Sequence, residues 1–298
     1  MVESQDNLFH NQNSISVGTA NFGQNYGLNQ SKNGLGKKQL NEIFEIILGN
    51  VNISLDTSPS YGDSEKIVGL FLKQNHFQGG ITTKIPSKLH SNPYLMVKSL
   101  ENSLKVLGIP TANCTFLHGY SDAIQHNYRE ISSGLKTILK DGLSEQVGLS
   151  CYTEQEIVMS KKLIPELSVF QLPENILDQR LRNSEIIRDM RKKADQFYVR
   201  SIFLQGNLLV EGDKIPDKLF SLKEAIRNID LMAARYNLSK LEYCISYVKS
   251  LTWSSGFVVG VDSGKQLQDI LSASKRSYAG VEYLKQDVDQ NLIDPRMW

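Results

Sequence analysis

Short, mostly apolar runs alternate along this chain with longer stretches in which apolar positions recur every three or four residues. The short runs read as strands buried on both faces, and the longer stretches as helices with one apolar side. Strands are predicted over 15–20, 52–56, 81–85, 115–118, 147–150, 168–172, 197–203 and 256–261. Helices are predicted over 38–47, 64–74, 94–107, 123–140, 153–162, 183–196 and 264–274, with a pair over 219–236 and 241–251 before the last strand.

Eight strand–helix units in unbroken succession favour one closed (β/α)8 barrel, a TIM-type parallel α/β fold, over a split into two domains. An open doubly wound sheet is the alternative. However, Gly18-Thr19-Ala20-Asn21-Phe22-Gly23 lacks the G-x-G-x-x-G spacing of a dinucleotide loop. The chain is therefore read as a single domain over 1–298, with 1–12 flexible and 277–298 a C-terminal tail. In such a barrel the active site gathers at the C-terminal ends of the strands.

Chemistry-bearing side chains fall at those ends. Asp56 closes the second run, and Tyr61 follows in a Ser- and Pro-rich turn before a helix opens at Asp63-Ser64-Glu65. Lys84 and His118 close the next two runs. Singly, each has an ordinary explanation: a packed ring, a surface cation, a hydrogen-bonded imidazole, or a helix cap, although Asp63 or Ser64 is better placed to cap. Together on consecutive strand ends they make a proton donor. A phenol has a solution pKa of about 10, and a nearby ammonium stabilises the phenolate and lowers that value. A carboxylate holds the ammonium charged and in place, and an imidazole can orient a carbonyl oxygen.

Charge and composition narrow the partners. Lys plus Arg number 33 against 32 Asp plus Glu, so no bulk field draws nucleic acid or an anionic membrane. The polar start, Met1-Val2-Glu3-Ser4-Gln5, does not read as a signal peptide, and no run approaches the length of a membrane helix. Cys114, Cys151 and Cys244 are far apart and lack metal-ligand spacing, which suits reduced thiols in a cytoplasm and no metal site.

The stretch Asp56-Thr57-Ser58-Pro59-Ser60-Tyr61-Gly62-Asp63-Ser64-Glu65 resembles the D-T-A-x-x-Y-G-x-S-E signature of the aldo-keto reductases. Thr83-Lys84 and Leu117-His118 are similar to that family's T-K and L-H strand ends, Gly148-Leu149-Ser150 to its G-x-S-N, and Gln171 to Asn175 to its Q-x-x-x-N. The similarity runs from about Ile15 to Leu271. It implies a barrel that binds an extended NADPH or NADH without a Rossmann domain, with Asp56, Tyr61, Lys84 and His118 as catalytic residues. It further implies that Ser150 and Gln171, with Cys151 beside them, hold the nicotinamide carboxamide, and that Gly18 and Thr19 line the pocket floor. Arg200, Ser201, Phe203, Gln205 and Gly206 would carry the cofactor past the seventh strand. Gly260, Val261, Ser263, Lys265 and Gln266 would face its adenosine phosphate.

The chain departs from the pattern in two places. Cys151 stands where the family usually has Asn, and Arg200-Ser201 where it often has Tyr-Ser. A guanidinium can stack on an aromatic face, bind an anionic substrate, or form a structural salt bridge, and all three stay open for Arg200. Strict NADP enzymes often carry Lys or Arg at the positions of Gly260 and Gln266. Here only Lys265 is cationic, and an inward Asp262 would repel a 2′-phosphate, so NADP(H) is favoured over NAD(H) only slightly, on family habit. Segments 18–27, 200–206 and 294–298 look most similar to bacterial members associated with surface-sugar biosynthesis, which narrows the substrate towards a sugar-derived carbonyl. Phe22, Tyr26, Tyr120, Tyr152 and Trp253 are candidate pocket walls.

The reading is a cytoplasmic NAD(P)H-dependent oxidoreductase that reduces an aldehyde or ketone to an alcohol, working as a monomer or homodimer on a small molecule. A nucleotide-holding sensor barrel with little turnover is one rival. An isomerase or dehydratase using a tightly held nucleotide is another.

Overall fold

The computed structural model describes residues 14–23, 35–211, 217–294 and 297. The segment expected to be flexible, 1–12, lies outside the described residues. The strands are β1 Ser14–Gly18, β2 Ile53–Asp56, β3 Ile81–Pro86, β4 Ala112–His118, β5 Ser144–Ser150, β6 Val169–Pro173, β7 Gln196–Arg200 and β8 Gly256–Gly260. They close in sequence order into one parallel barrel, β1 pairing with both β2 and β8. The (β/α)8 expectation is met.

The helices, in chain order, are α1 Ala20–Gly23, α2 Lys37–Leu48, α3 Ser64–Gln74, α4 Pro93–Leu107, α5 Asp122–His126, α6 Tyr128–Lys140, α7 Glu154–Leu163, α8 Glu185–Lys192, α9 Lys223–Arg235, α10 Lys240–Lys249, α11 Gly264–Lys275 and α12 Gln290–Ile293. Local chemistry sets their ends. The Asn92 side chain accepts from Leu95 N at 3.1 Å, Pro93 opens α4, and Gly108 ends it at φ 72°, which an L side chain resists. Thr153 and Glu156 form a reciprocal capping box at the start of α7. No helix among the described residues is long and apolar enough to cross a membrane.

Side chains on a strand alternate between faces, and that alternation sorts this barrel into two compartments. Val17, Leu55, Ile85, Leu149, Leu172, Val199 and Val259 belong to the large core between strands and helices. Cys114, Phe116, Val169 and Tyr198 form a separate cluster with Val258 against it, the filling of the barrel itself. Gly148 makes room for that filling: a Cβ there would lie 2.5 Å from Val169 O and 2.7 Å from the Phe116 ring. Gly148→Ala is accordingly expected to lower stability by about 1–3 kcal/mol through overpacking, measured by denaturant unfolding.

Several boundaries differ from the expectation: the first strand, expected over 15–20, stops at Gly18, and the helix expected over 219–236 opens at Lys223. The seventh strand stops at Arg200 because Ser201 turns to φ 58°, so Phe203 lies beyond it in a loop. The helix expected over 123–140 breaks at Asn127, which ends α5 and opens α6. The helix expected over 183–196 shortens to α8, because Ser184 caps it through Ile187 N at 3.0 Å and Ala194, at φ 72°, lies in the turn beyond it. Periodicity persists across such points; backbone dihedrals do not.

Candidate active site

The alternation that buries Val17 and Leu55 outward turns Gly18, Asp56, Lys84, His118, Ser150, Gln171, Arg200 and Gly260 towards the barrel axis at its C-terminal mouth. Gly18 lies in register with Asp56 on one side and Gly260 on the other, and Ser150 with Gln171. Asp56 and His118 end their strands as expected, whereas β3 continues past Lys84 to Pro86.

The centre of the mouth is a buried ion pair. The Lys84 ammonium donates to Asp56 Oδ1, and both residues are only 3% exposed. Lys84 Nζ also donates to Thr57 O at 3.0 Å and stands 5.0 Å from the centre of the Tyr61 ring. Burial opposes the charge on Lys84. The Asp56 carboxylate, and after it the Tyr61 phenol, which also hydrogen-bonds to the amine, outweigh that cost and hold the amine above its ordinary range. The other oxygen of Asp56 accepts from Gln171 Nε2 at 2.6 Å and Thr82 Oγ1 at 3.2 Å. A carboxylate so saturated has little freedom to move.

His118 stands edge-on to Tyr61, ring centres 5.6 Å apart, and its Nδ1 contacts Ser58 Oγ at 3.3 Å. Burial first, and then the Lys84 charge, depress its pKa from 6.5 to about 4, so the ring is neutral at physiological pH. The folded state therefore favours the neutral imidazole. This contribution to stability is intact above pH 6.5 and is lost as the pH falls from there through about 4. Thermal melts across that window should fall less steeply for His118→Asn than for the unaltered chain.

The residues expected to touch a cofactor divide into two groups. Ser150 Oγ has no hydrogen-bond partner among the described residues, and Gln171 has committed its amide nitrogen to Asp56 but not its oxygen. One hydroxyl donor and one carbonyl acceptor on neighbouring strands match the two ends of a carboxamide. Gly260 faces open space where a Cβ would stand, so the backbone of β8 is approachable. A nicotinamide fits what these residues leave uncommitted. Thr19, buried, is spent on packing the turn: its hydroxyl meets Ser64 Oγ at 2.6 Å and Asp56 O at 3.1 Å.

The remaining positions lie in the strand–helix core, in the turn beyond β7 or at the start of α11. Cys151 is fully buried in the strand–helix core, its Sγ 3.8 Å from Gln171 O, and burial pushes its thiol far up. It offers the mouth no side chain in place of the Asn that the family usually has there. Phe203 and Val261 also lie in that core, as do Phe22 and Trp253, two of the expected pocket walls. Ser201, Gln205 and Gly206, with Leu204, all take positive φ in a tight turn beyond β7. Ser263 caps α11 by accepting from Gln266 N at 3.2 Å, and Gln266 Oε1 accepts from Asp262 N at 2.7 Å. Lys265 is paired with Asp269 on the exposed side of α11, and Asp262 Oδ1 accepts from Asn21 Nδ2 at 2.7 Å. Tyr26 lies outside the described residues.

Several partners escaped sequence reasoning. Thr82 and Gln171 hold Asp56, Ser58 supports His118, and buried Glu65 accepts from Thr83 Oγ1 at 2.6 Å one residue from the central lysine. Thr82 and Ser58 each sit two residues from a named site residue, the spacing of one strand face or one turn. That spacing was the signal for Thr82, whereas Ser58 and Glu65 stand inside the Asp56–Glu65 signature with nothing to show which partner each would hold.

The profile of the Aldo/keto reductase family matches residues 14–283. No curated protein matches the chain. Among solved structures, an aldo/keto reductase from Klebsiella pneumoniae, crystallised with NADP and acetate, is 14% identical with a TM-score of 0.67 over 90% of this chain and 87% of that one. The glycerol dehydrogenase of Gluconobacter oxydans is 18% identical with a TM-score of 0.70 over 93% and 94%. At that identity these likenesses establish the barrel; the profile match over nearly the whole chain, together with the Asp56–Lys84 pair at the barrel mouth, makes this chain a member of the aldo/keto reductase family, and so an oxidoreductase.

Proposed function

We propose that this protein reduces an aldehyde or ketone with NADPH and that Tyr61 supplies the proton to the carbonyl oxygen. The observation that carries the reading is the buried Lys84 ammonium, fixed by Asp56 and set against the Tyr61 phenol beside a neutral His118. When bound, the nicotinamide supplies the hydride. Tyr61 gives up its hydroxyl proton, and Lys84 stabilises the phenolate left behind. Asp56, held by Gln171 and Thr82, keeps the ammonium charged and stationary. His118 is uncharged and already engaged at Nδ1, so its Nε2 is the atom left to orient the substrate oxygen. Ser150 Oγ and Gln171 Oε1 would seat the carboxamide.

The adenosine-phosphate end supports weak discrimination between NADPH and NADH. Of Gly260, Val261, Ser263, Lys265 and Gln266 only Lys265 is a cation, and an exposed pair such as Lys265–Asp269 holds by at most about 1 kcal/mol, so the ammonium is free to switch partners. The NADPH:NADH affinity ratio is expected to be below about tenfold and to approach one in Lys265→Ala, read by fluorescence titration. A sugar-derived substrate rests on segments that include Tyr26, Gly27, Pro295, Arg296 and Trp298, all outside the described residues. The test is titration with both nucleotides followed by a panel of aldehydes and keto-sugars monitored at the nicotinamide absorbance band. Absence of nucleotide binding, or of carbonyl-dependent NADPH oxidation across the panel, rejects the reading.

A further inference from the structure

Arg200 closes β7 at the mouth, and among the described residues no carboxylate forms an ion pair with it. Its guanidinium carbon lies 4.2 Å from the centre of the Tyr152 ring, Nη2 donates to Cys151 O at 3.2 Å, and Nη1 reaches Ser201 Oγ at 3.5 Å. Among the described residues its contacts are a π face, a neutral carbonyl and a distant hydroxyl. Nε is buried with no hydrogen-bond partner, and among the described residues no carboxylate pairs with this side chain. The nearby acid Glu156 is turned to the amides of Tyr152 and Thr153, at 2.6 and 3.3 Å.

The charge is felt at the reaction centre, where Arg200 helps to depress His118. The other two charges of the mouth cancel, because Lys84 is matched by Asp56, and His118 is neutral. Among the described residues the mouth thus holds, half-buried, one guanidinium that no carboxylate pairs with directly. A guanidinium offers five donors in a planar fork, and two of them are taken.

We propose that Arg200 is the specificity-determining residue of this site, and that the carbonyl compound it selects carries a carboxylate. The inference rests on the reading of the mouth as a carbonyl-reducing site. A single negative charge neutralises the mouth, whereas a phosphate dianion would leave an excess of the opposite sign. Tyr152 covers one face of the guanidinium, so recognition runs through the edge of the fork and not through stacking.

Two matched compounds test the proposal: succinic semialdehyde, and butanal, which lacks the carboxylate. With saturating NADPH, kcat/KM is expected to favour succinic semialdehyde by about 10- to 100-fold, the range of a hydrogen bond to a charged group. That ratio should collapse towards one in Arg200→Gln and survive in part in Arg200→Lys. A wild-type ratio near one overturns the assignment. So does an Arg200→Gln variant that lowers both compounds equally, or one whose NADPH affinity falls by the same factor, since Arg200 would then serve the cofactor. Glyceraldehyde 3-phosphate against glyceraldehyde is the phosphate arm, and a larger preference there overturns the carboxylate. If neither aldehyde is reduced, the reductase reading fails, and calorimetric titration with succinate decides this one. Binding weakened at least about tenfold by Arg200→Gln sustains it, and unchanged binding removes it.

Discussion

Replacing Tyr61 with Phe should lower carbonyl reduction by about two to four orders of magnitude, the range of a positioned general acid, while NADPH binds within about twofold of the unaltered chain. The substitution removes one hydroxyl and keeps the ring that packs edge-on against His118 and lies over Lys84. Fold and nucleotide affinity are thereby held constant, and the loss reads out the proton alone. Steady-state turnover, with nucleotide affinity from fluorescence quenching, separates the cases. Full activity in Tyr61→Phe would transfer the proton to another donor. Low activity in the unaltered chain, with nucleotide affinity intact in both, would instead favour the sensor barrel.

Lys84→Met should be nearly as damaging, and in two ways. Turnover falls because the phenolate loses its stabilising charge, and stability falls because Asp56 is left buried without its ion. Breaking such a pair from one side costs about 3–5 kcal/mol, so the melting temperature of a barrel of this size should drop by about 10 °C. The double change Asp56→Asn with Lys84→Met should recover part of that stability and none of the activity, because the two side chains form one unit. Denaturant unfolding of both single variants and the double variant gives the coupling directly. Equal stability of Lys84→Met and the unaltered chain would mean that water reaches this pair in solution.

The eight units were legible because strands apolar on both faces and helices apolar on one carry different periods, and nothing interrupts the series. The four central side chains were legible because they sit at or near the ends of consecutive strands. What escaped depended on dihedrals and on the direction of a side chain. Nothing in Arg200-Ser201-Ile202-Phe203 announces that Ser201 turns left-handed and ends the strand. Cys151 adjoins Ser150, and a motif match cannot say that one faces the mouth and its neighbour the core. Gln171 was expected at a carboxamide, and its nitrogen is bound to Asp56 from four strands away, a contact that only closure of the barrel creates.

Odd and even positions on each strand answer to different masters. On β2, Ile53 and Leu55 hold the helices in place, while Ser54 and Asp56 look down the axis. Inserting one residue within β2, between Ile53 and Ser54, would exchange these roles for the rest of the strand, thrusting Leu55 into the mouth and a bare carboxylate among the aliphatic side chains of the wall. Conversely, a swap at an even position of β2 or β3, or at His118 on β4, leaves the wall untouched. Outside the Asp56–Lys84 pair, chemistry at the mouth can therefore drift residue by residue without unpicking the fold, whereas a shift of frame by a single step destroys both at once.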